Sequence, residues 1–200
     1  MEIPEFINRR AGHSAEVAHF AFWLFSQLPI NTIPVKIMLS PEIRHEGIRF
    51  AHSNRVIDYF GSSQTSDISD SQWQIQNPLQ SLGNYYFSLA RNRRNRRNAI
   101  ANYEQALVYN KYSISYAAAL MEERLNNVGP SYKELIAIGE FILQSTDLRG
   151  IYLSKDPEAD TVLANLGSIL SILSQSYSIT KDTQNVERIA GLIKEYITND

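Results

Sequence analysis

The sequence contains no cysteine, which excludes disulfide bonds, thiolate metal sites and cysteine nucleophiles. It contains no Walker loop, no dinucleotide-binding fingerprint and no GxSxG motif, and its nine glycines are scattered. Its one strongly apolar stretch, residues 15–28, is shorter than the roughly 20 residues that span a bilayer. We therefore expect no catalytic residues, no metal, no cofactor and no transmembrane segment.

The first ten residues, MEIPEFINRR, do not show the basic and then apolar order of a signal peptide, so we expect a cytoplasmic protein. The 200 residues are 44% hydrophobic and 20% charged, which is typical of a globular chain with a core. A chain of this length buries about 70% of its unfolded surface.

The periodicity favours an all-α fold in three parts. No segment shows the sustained alternation of a strand, whereas capping residues precede several apolar stretches with helical spacing. We predict an N-terminal helical pair (1–60), a polar linker (61–76) and a helical array (77–200). The second N-terminal helix would begin at Ser40-Pro41-Glu42 and run to Phe60. The linker contains Gly61 to Ser71, which is too polar to bury much surface.

The array is expected to contain helices in pairs. Ser131 and Glu134 have the spacing of a capping box, in which two side chains satisfy the first backbone N–H groups. Asp182 is placed to cap the last helix. The predicted helices are Leu79 to Ala90, Ala99 to Asn110, Ser113 to Leu125, one that follows Ser131, one that follows Asp156-Pro157 and one that follows Asp182.

Two of these helices carry small and aromatic residues at fixed spacing, namely Leu82, Gly83 and Tyr86 in the first and Ala99, Tyr103 and Ala106 in the second. This pattern resembles a tetratricopeptide-type (TPR-like) helix pair, and Leu166-Gly167 repeats the Leu-Gly feature. The resemblance covers about residues 79–197. It implies a short right-handed solenoid of stacked antiparallel pairs, because each pair leaves an apolar face that its neighbour covers. An unrelated helical bundle with the same packing chemistry is the alternative.

The resemblance also implies a function and a site. The inner helix of each pair would line a concave groove, with Gln80, Asn84, Phe87 and Ser88 facing a bound segment. Asn84 resembles the asparagine with which the family binds a peptide backbone or its carboxylate. Gln80 stands where a lysine would complete a carboxylate clamp, so a terminal carboxylate is not the expected ligand. The first hypothesis is therefore a scaffold that binds a protein or peptide partner.

A run of five arginines separates the first two array helices: Arg91, Arg93, Arg94, Arg96 and Arg97. Without them the formal net charge would change from −2 to −7, so the run is a basic patch on an acidic protein. Guanidinium groups suit phosphate and carboxylate oxygens. Binding of an anion or of nucleic acid is the second hypothesis, and a solvated turn is the structural alternative.

The histidines do not indicate a metal site. His45 and His52 are seven residues apart, and on a helix they would be separated by about 10.5 Å, too far to share one zinc ion. No catalytic dyad is readable from the residues, so a helical enzyme whose site is assembled only in space is the third hypothesis. The sequence carries no signal for an oligomeric state.

Overall fold

The computed structural model describes residues 21–25, 27, 31–38, 44–50, 55–58, 65–67, 73–75, 77–91, 98–127, 129–154 and 159–198. The chain divides into two compact units, Met1–Arg96 and Arg97–Asp200. The described residues are mostly helical, as predicted from the periodicity. The first unit also contains a β-sheet, which was not predicted.

The first unit contains a five-stranded antiparallel sheet with the order β4-β3-β2-β1-β5. The strands of the sheet are β1 (Thr32–Met38), β2 (Arg44–Phe50), β3 (Arg55–Asp58), β4 (Thr65–Asp67) and β5 (Trp73–Ile75), and helix α1 (Pro78–Arg91) follows them in the chain. Val35 of β1 and Ile48 of β2 are fully buried. Residues 21–25 are helical, and the Phe25 ring packs edge-on against Phe50 of β2 with centroids 6.0 Å apart.

The predicted N-terminal helical pair is wrong, because β2 and β3 occupy the span assigned to its second helix. The start signal at Ser40-Pro41-Glu42 is local, whereas a strand is stabilised by hydrogen bonds to partners distant in sequence. Gly47, buried in β2, is also a poor helix former. The residues of the first predicted N-terminal helix, 15–28, are described only at 21–25, which are helical, and at 27.

The segment predicted as a linker lies within the first unit. Thr65–Asp67, in the middle of Gly61 to Ser71, forms β4 and pairs with β3 at the edge of the sheet. Trp73–Ile75, near the end of the predicted linker 61–76, forms β5 and pairs with β1. The other residues of 61–76 lie outside the described residues. The division between the units falls instead at Arg96, within the arginine run, so the two helices of the first predicted TPR-like pair belong to different units.

The second unit is helical and follows the predicted order. Its helices are α2 (Ala99–Tyr109), α3 (Ile114–Leu125), α4 (Tyr132–Ser145), α5 (Leu148–Tyr152), α6 (Ala159–Ile179) and α7 (Thr183–Tyr196). The short helix α5 was not predicted. The Asp147 side chain caps it by accepting a hydrogen bond from the Gly150 N–H at 3.0 Å.

At the starts of the longer helices, the structure confirms the signal at Asp182 and corrects the capping box predicted at Ser131. Asp182 accepts from the Asn185 N–H at 3.2 Å, as a capping residue does, and Ser113 accepts from the Tyr116 N–H at 3.3 Å. Ser131 precedes α4 but its side chain makes no capping bond. The predicted capping box is therefore absent, because the Glu134 carboxylate binds Arg124 of α3 instead.

Helix α6 is central to the second unit and packs against α3, α4, α5 and α7. Leu166, Ile169, Leu170 and Leu173 of α6 are fully buried in one core cluster. Helices α4 and α6 pack closely at Gly139, where an added Cβ would lie 2.7 Å from Leu173 Cγ. The glycine thus lets the two helices pack closely. The sequence pattern had directed attention to a different glycine, in Leu166-Gly167.

Among the described residues, α6 is the one helix that is long and apolar enough, by length and composition alone, to cross a membrane. The central helix of a bundle satisfies the same criterion, because it is covered on several sides by other helices. The buried residues of α6 form the middle of the core of the second unit.

Candidate functional site

The residues predicted to line a peptide groove lie on α1, in the first unit. Gln80 is exposed, while Asn84, Phe87 and Ser88 are half-buried. The Arg91 guanidinium carbon lies 5.7 Å from the centre of the Phe87 ring, which is a cation–π distance. The structure thus places the four residues on one helix.

The arginine run is described only at its first member. Arg91 is exposed in the last turn of α1, where a positive charge stabilises the negative end of the helix dipole. Arg93, Arg94, Arg96 and Arg97 lie outside the described residues.

Three of the four positions of α6 that correspond to the predicted groove are alanine or serine, and the fourth is a buried isoleucine. The four predicted groove residues of α1 lie two residues before Leu82 and two, five and six residues after it. The same offsets from Leu166 give Ala164, Ser168, Ser171 and Ile172. Two of them, Ala164 and Ser171, are exposed, and Ile172 is buried in the core. At these four described positions α6 therefore exposes no large side chain that would anchor a partner.

A concave apolar surface lies elsewhere in the second unit, between α2, α3 and α4, and we call it the α2–α4 groove. Its volume is about 310 Å³. It is lined by Leu107, Lys111, Ala117, Ala137, Ile138, Phe141 and Ile142. Ala117 and Ala137 are small, and they leave the space that larger neighbours would fill. Lys111 is the one charged residue of the lining.

An aromatic stack joins the turn after α2 to α4. The rings of Tyr112 and Phe141 are nearly parallel, with centroids 5.9 Å apart. Lys111 Nζ lies 4.7 Å from the centre of the Tyr112 ring. Tyr112 is 55% exposed, Phe141 42% and Val108, on α2, 70%. Apolar side chains this exposed and this close to a groove are typical of a surface that another molecule covers.

The carboxylates of the two wall helices are engaged by arginines. Arg124 of α3 donates at 2.6 Å to Glu104 of α2 and also to Glu134 of α4, and so links three helices. Arg188 of α7 binds Glu140 of α4. Two arginines thus bind three carboxylates, and one negative charge of the wall helices is not offset by them.

Glu140 also accepts a hydrogen bond from the Tyr177 hydroxyl of α6 at 2.8 Å. Burial, and then the bond to Glu140 and its negative charge, raise the pKa of Tyr177 to about 12. Arg188 continues this network through Asn185 to the Asp182 cap, and the bonds from Asn185 lower the pKa of that carboxyl. These groups join α4, α6 and α7 and hold the wall helix α4 in place.

No group of three or more histidine, aspartate or glutamate side chains that could hold a metal ion occurs within the described residues. His45 lies in β2, so the helical separation assumed for His45 and His52 does not apply. His52 lies outside the described residues.

The sequence did not predict the α2–α4 groove, because its walls are separated in the chain by α3. The available signal was three large apolar residues that the core does not bury, namely Val108 on α2, Tyr112 in the turn after α2 and Phe141 on α4. Comparisons with protein-family models, curated proteins and solved structures give no match for this chain.

Proposed function

We propose that the chain is a protein-binding helical scaffold, and that its second unit binds a partner in the α2–α4 groove. The observation that carries this proposal is the groove itself, which combines a concave apolar lining with exposed aromatic side chains at its edge. Binding sites on proteins are commonly concave and mostly apolar, with few polar groups. A protein that binds without catalysis fits the sequence, which carries no catalytic motif.

The packing order of the second unit supports a TPR-like array as its architecture. Helix α2 packs on α3, α3 on α4, and α6 on both α3 and α4, while α7 packs on α6. A stack of helix pairs has this order, since the first helix of each pair contacts both helices of the pair before it. A Cβ built on Gly167 of α6 would lie 3.6 Å from Ile197 Cγ2, just after α7, so the Leu-Gly feature faces the end of the other helix of its predicted pair.

The proposed site differs from the inner groove implied by the TPR-like resemblance. Its walls are α2 and α4, which are the second helices of the first two predicted pairs, and Ala117 of α3 lies between them. The inner helix α6 exposes no large side chain at the corresponding positions. The aromatic and aliphatic side chains that anchor partners in protein interfaces are at the α2–α4 groove.

One substitution made at three exposed alanines tests this proposal. Ala137→Trp fills the groove, Ala164→Trp enlarges the corresponding inner-helix position of α6, and Ala190→Trp on α7 is the matched control. The three variants share the same change in helix propensity, so their folding is compared directly by urea denaturation. Affinity capture from the native cell, with a tag on the full chain, measures partner binding.

We expect Ala137→Trp to reduce the captured partner at least tenfold, while the other two variants retain it. Loss of the partner with Ala164→Trp alone would assign binding to the inner helices and contradict the proposal. The α1 prediction is tested in parallel by Asn84→Ala with Phe87→Ala. The anion hypothesis is tested by replacing Arg93, Arg94, Arg96 and Arg97 with serine, which would abolish capture only if the arginine run binds.

A further inference from the structure

We infer that the occupant of the α2–α4 groove is an amphipathic helix of a partner protein, with a carboxylate beside its apolar stripe that pairs with Lys111. This inference rests on the proposed function and specifies its partner. It follows from the shape of the groove, from the backbone groups that the groove lacks and from the charges at its edge.

The lining of the α2–α4 groove favours apolar side chains in the occupant. Apart from Lys111, every lining residue is aliphatic, alanine or phenylalanine. The volume of about 310 Å³ is large enough to hold several water molecules. Water there finds few hydrogen-bonding partners, so apolar side chains that displace it gain free energy in proportion to the area covered.

The walls determine the backbone conformation of the occupant. Both walls are α-helices, whose N–H and C=O groups are bonded within the helix, so the groove has no sheet edge to which an extended segment could add. An occupant that lies against this apolar surface must therefore satisfy its own backbone groups. An α-helix does so, and its side chains at positions i, i+3 or i+4 and i+7 can enter the groove together.

The charges select an acidic partner. The carboxylates of Glu104, Glu134 and Glu140 on the wall helices are bound by Arg124 and Arg188. The ammonium groups of Lys111, in the turn after α2, and Lys133, on α4, form no ion pair with any described residue. Lys111 and Lys133 exceed by one the single negative charge that Arg124 and Arg188 leave, so these side chains carry a net positive charge, with Lys111 in the groove lining. This charge attracts an aspartate or glutamate and disfavours a basic helix.

A phage-displayed library of random 16-residue peptides, selected on the full chain, tests the inference. We expect the enriched peptides to carry leucine, isoleucine or phenylalanine at helical spacing together with at least one acidic residue. A proline in the middle of such a peptide should abolish binding, since it breaks a helix. Ala137→Trp should weaken the peptides at least tenfold, whereas the matched Ala190→Trp should not.

Charge reversal identifies the acidic contact. Lys111→Glu should weaken binding by roughly two- to thirtyfold, because it converts an exposed attraction into a repulsion. Exchange of the peptide carboxylate for lysine should restore binding to that variant. If peptides in which lysine replaces the acidic residue bind the unchanged chain as well as the original peptides do, the inference is overturned.

The remaining outcomes separate this inference from the proposed function. One outcome is that the peptides lose binding to Ala137→Trp and yet bind with a central proline, or bind Lys111→Glu as well as the unchanged chain. Either result would refute the acidic helix and leave the groove as the site. Peptides that Ala137→Trp does not affect would contradict both, and so would a selection without enrichment. Self-association of the chain that Ala137→Trp prevents would assign the groove to a second copy and overturn the inference.

Discussion

Gly139 lies at a close contact between α4 and α6, and its replacement by alanine tests the packing of the second unit. A Cβ at this position would lie 2.7 Å from Leu173 Cγ and less than 3.0 Å from both of its Cδ atoms. Leu173 is fully buried and branches at this point, so it cannot simply rotate its far end away. Either the leucine or the two helices must shift.

Two opposing effects determine how much Gly139→Ala changes the free energy of unfolding. The inserted methyl group overpacks the core, which typically costs about 1 to 3 kcal/mol. Replacement of glycine by alanine inside a helix gains about 1 kcal/mol, because the unfolded chain loses conformational freedom. We therefore expect Gly139→Ala to lower the free energy of unfolding by about 0 to 2 kcal/mol.

Gly191 of α7 supplies the matched control. It is exposed, and a Cβ there would meet nothing within 4 Å, so Gly191→Ala should gain about 1 kcal/mol. Gly167→Ala should be similar in sign, since its nearest neighbour is Ile197 at an ordinary 3.6 Å. The difference between Gly139→Ala and Gly191→Ala isolates the steric term, which should amount to about 1 to 3 kcal/mol.

Urea denaturation followed by circular dichroism measures these differences. A second measurement uses Leu173→Ala, which removes the atoms that the new methyl group would meet. In that background Gly139→Ala should lose its penalty, and the two changes should show a coupling energy of about 1 kcal/mol or more. If Gly139→Ala stabilises the chain as much as Gly191→Ala does, the close packing of α4 on α6 is wrong.

Three further predictions concern named contacts in the second unit, each measured by urea denaturation. Ser113→Ala should cost about 1 kcal/mol through the lost cap, whereas Ser131→Ala should change stability by less than about 0.5 kcal/mol, so equal losses would contradict the capping assignments. Arg124→Met should cost about 1 kcal/mol, because it removes two partly exposed ion pairs between helices, and an unchanged stability would show that they do not hold the groove walls. Since the folded state raises the pKa of Tyr177 to about 12, its stabilisation is complete below pH 10 and is lost as the pH rises towards 12. The chain should therefore lose on the order of 2 kcal/mol over that range relative to Tyr177→Phe, and parallel pH profiles would refute this assignment.

The helices of the second unit could be predicted because their signals are local. Asp182 caps the last helix, whose start the sequence placed there, and Ser113, predicted as the first residue of its helix, is the cap of α3. Ser131 shows the limit of such signals, because the Glu134 that would have completed its capping box is bound by Arg124, ten residues earlier in the chain.

The sheet of the first unit could not be predicted from alternation, because its strands are only three to seven residues long and are stabilised by pairing with other strands. Strand β1 pairs with β2 on one side and with β5 on the other, and β5 lies more than thirty residues further along the chain. The short strands β4 and β5 have only three residues each, too few to show an alternating pattern.

The α2–α4 groove was missed for a related reason. Leu107 and Phe141 line it together although they belong to helices on either side of α3. The TPR-like pattern directed attention to Asn84 and Phe87 on α1 because it places a site on inner helices. That site and the arginine run stay predictions, which the capture experiments address directly.

A photo-crosslinking side chain at the groove tests the central proposal most directly. Phe141 would be replaced by p-benzoylphenylalanine in the full chain, in its native cell, with the same replacement at exposed Gln175 of α6 as the control. After irradiation we expect a covalent adduct with a partner protein from position 141 and none from position 175. Adducts from position 175 alone, or from neither position while the partner is still captured, would contradict binding in the α2–α4 groove.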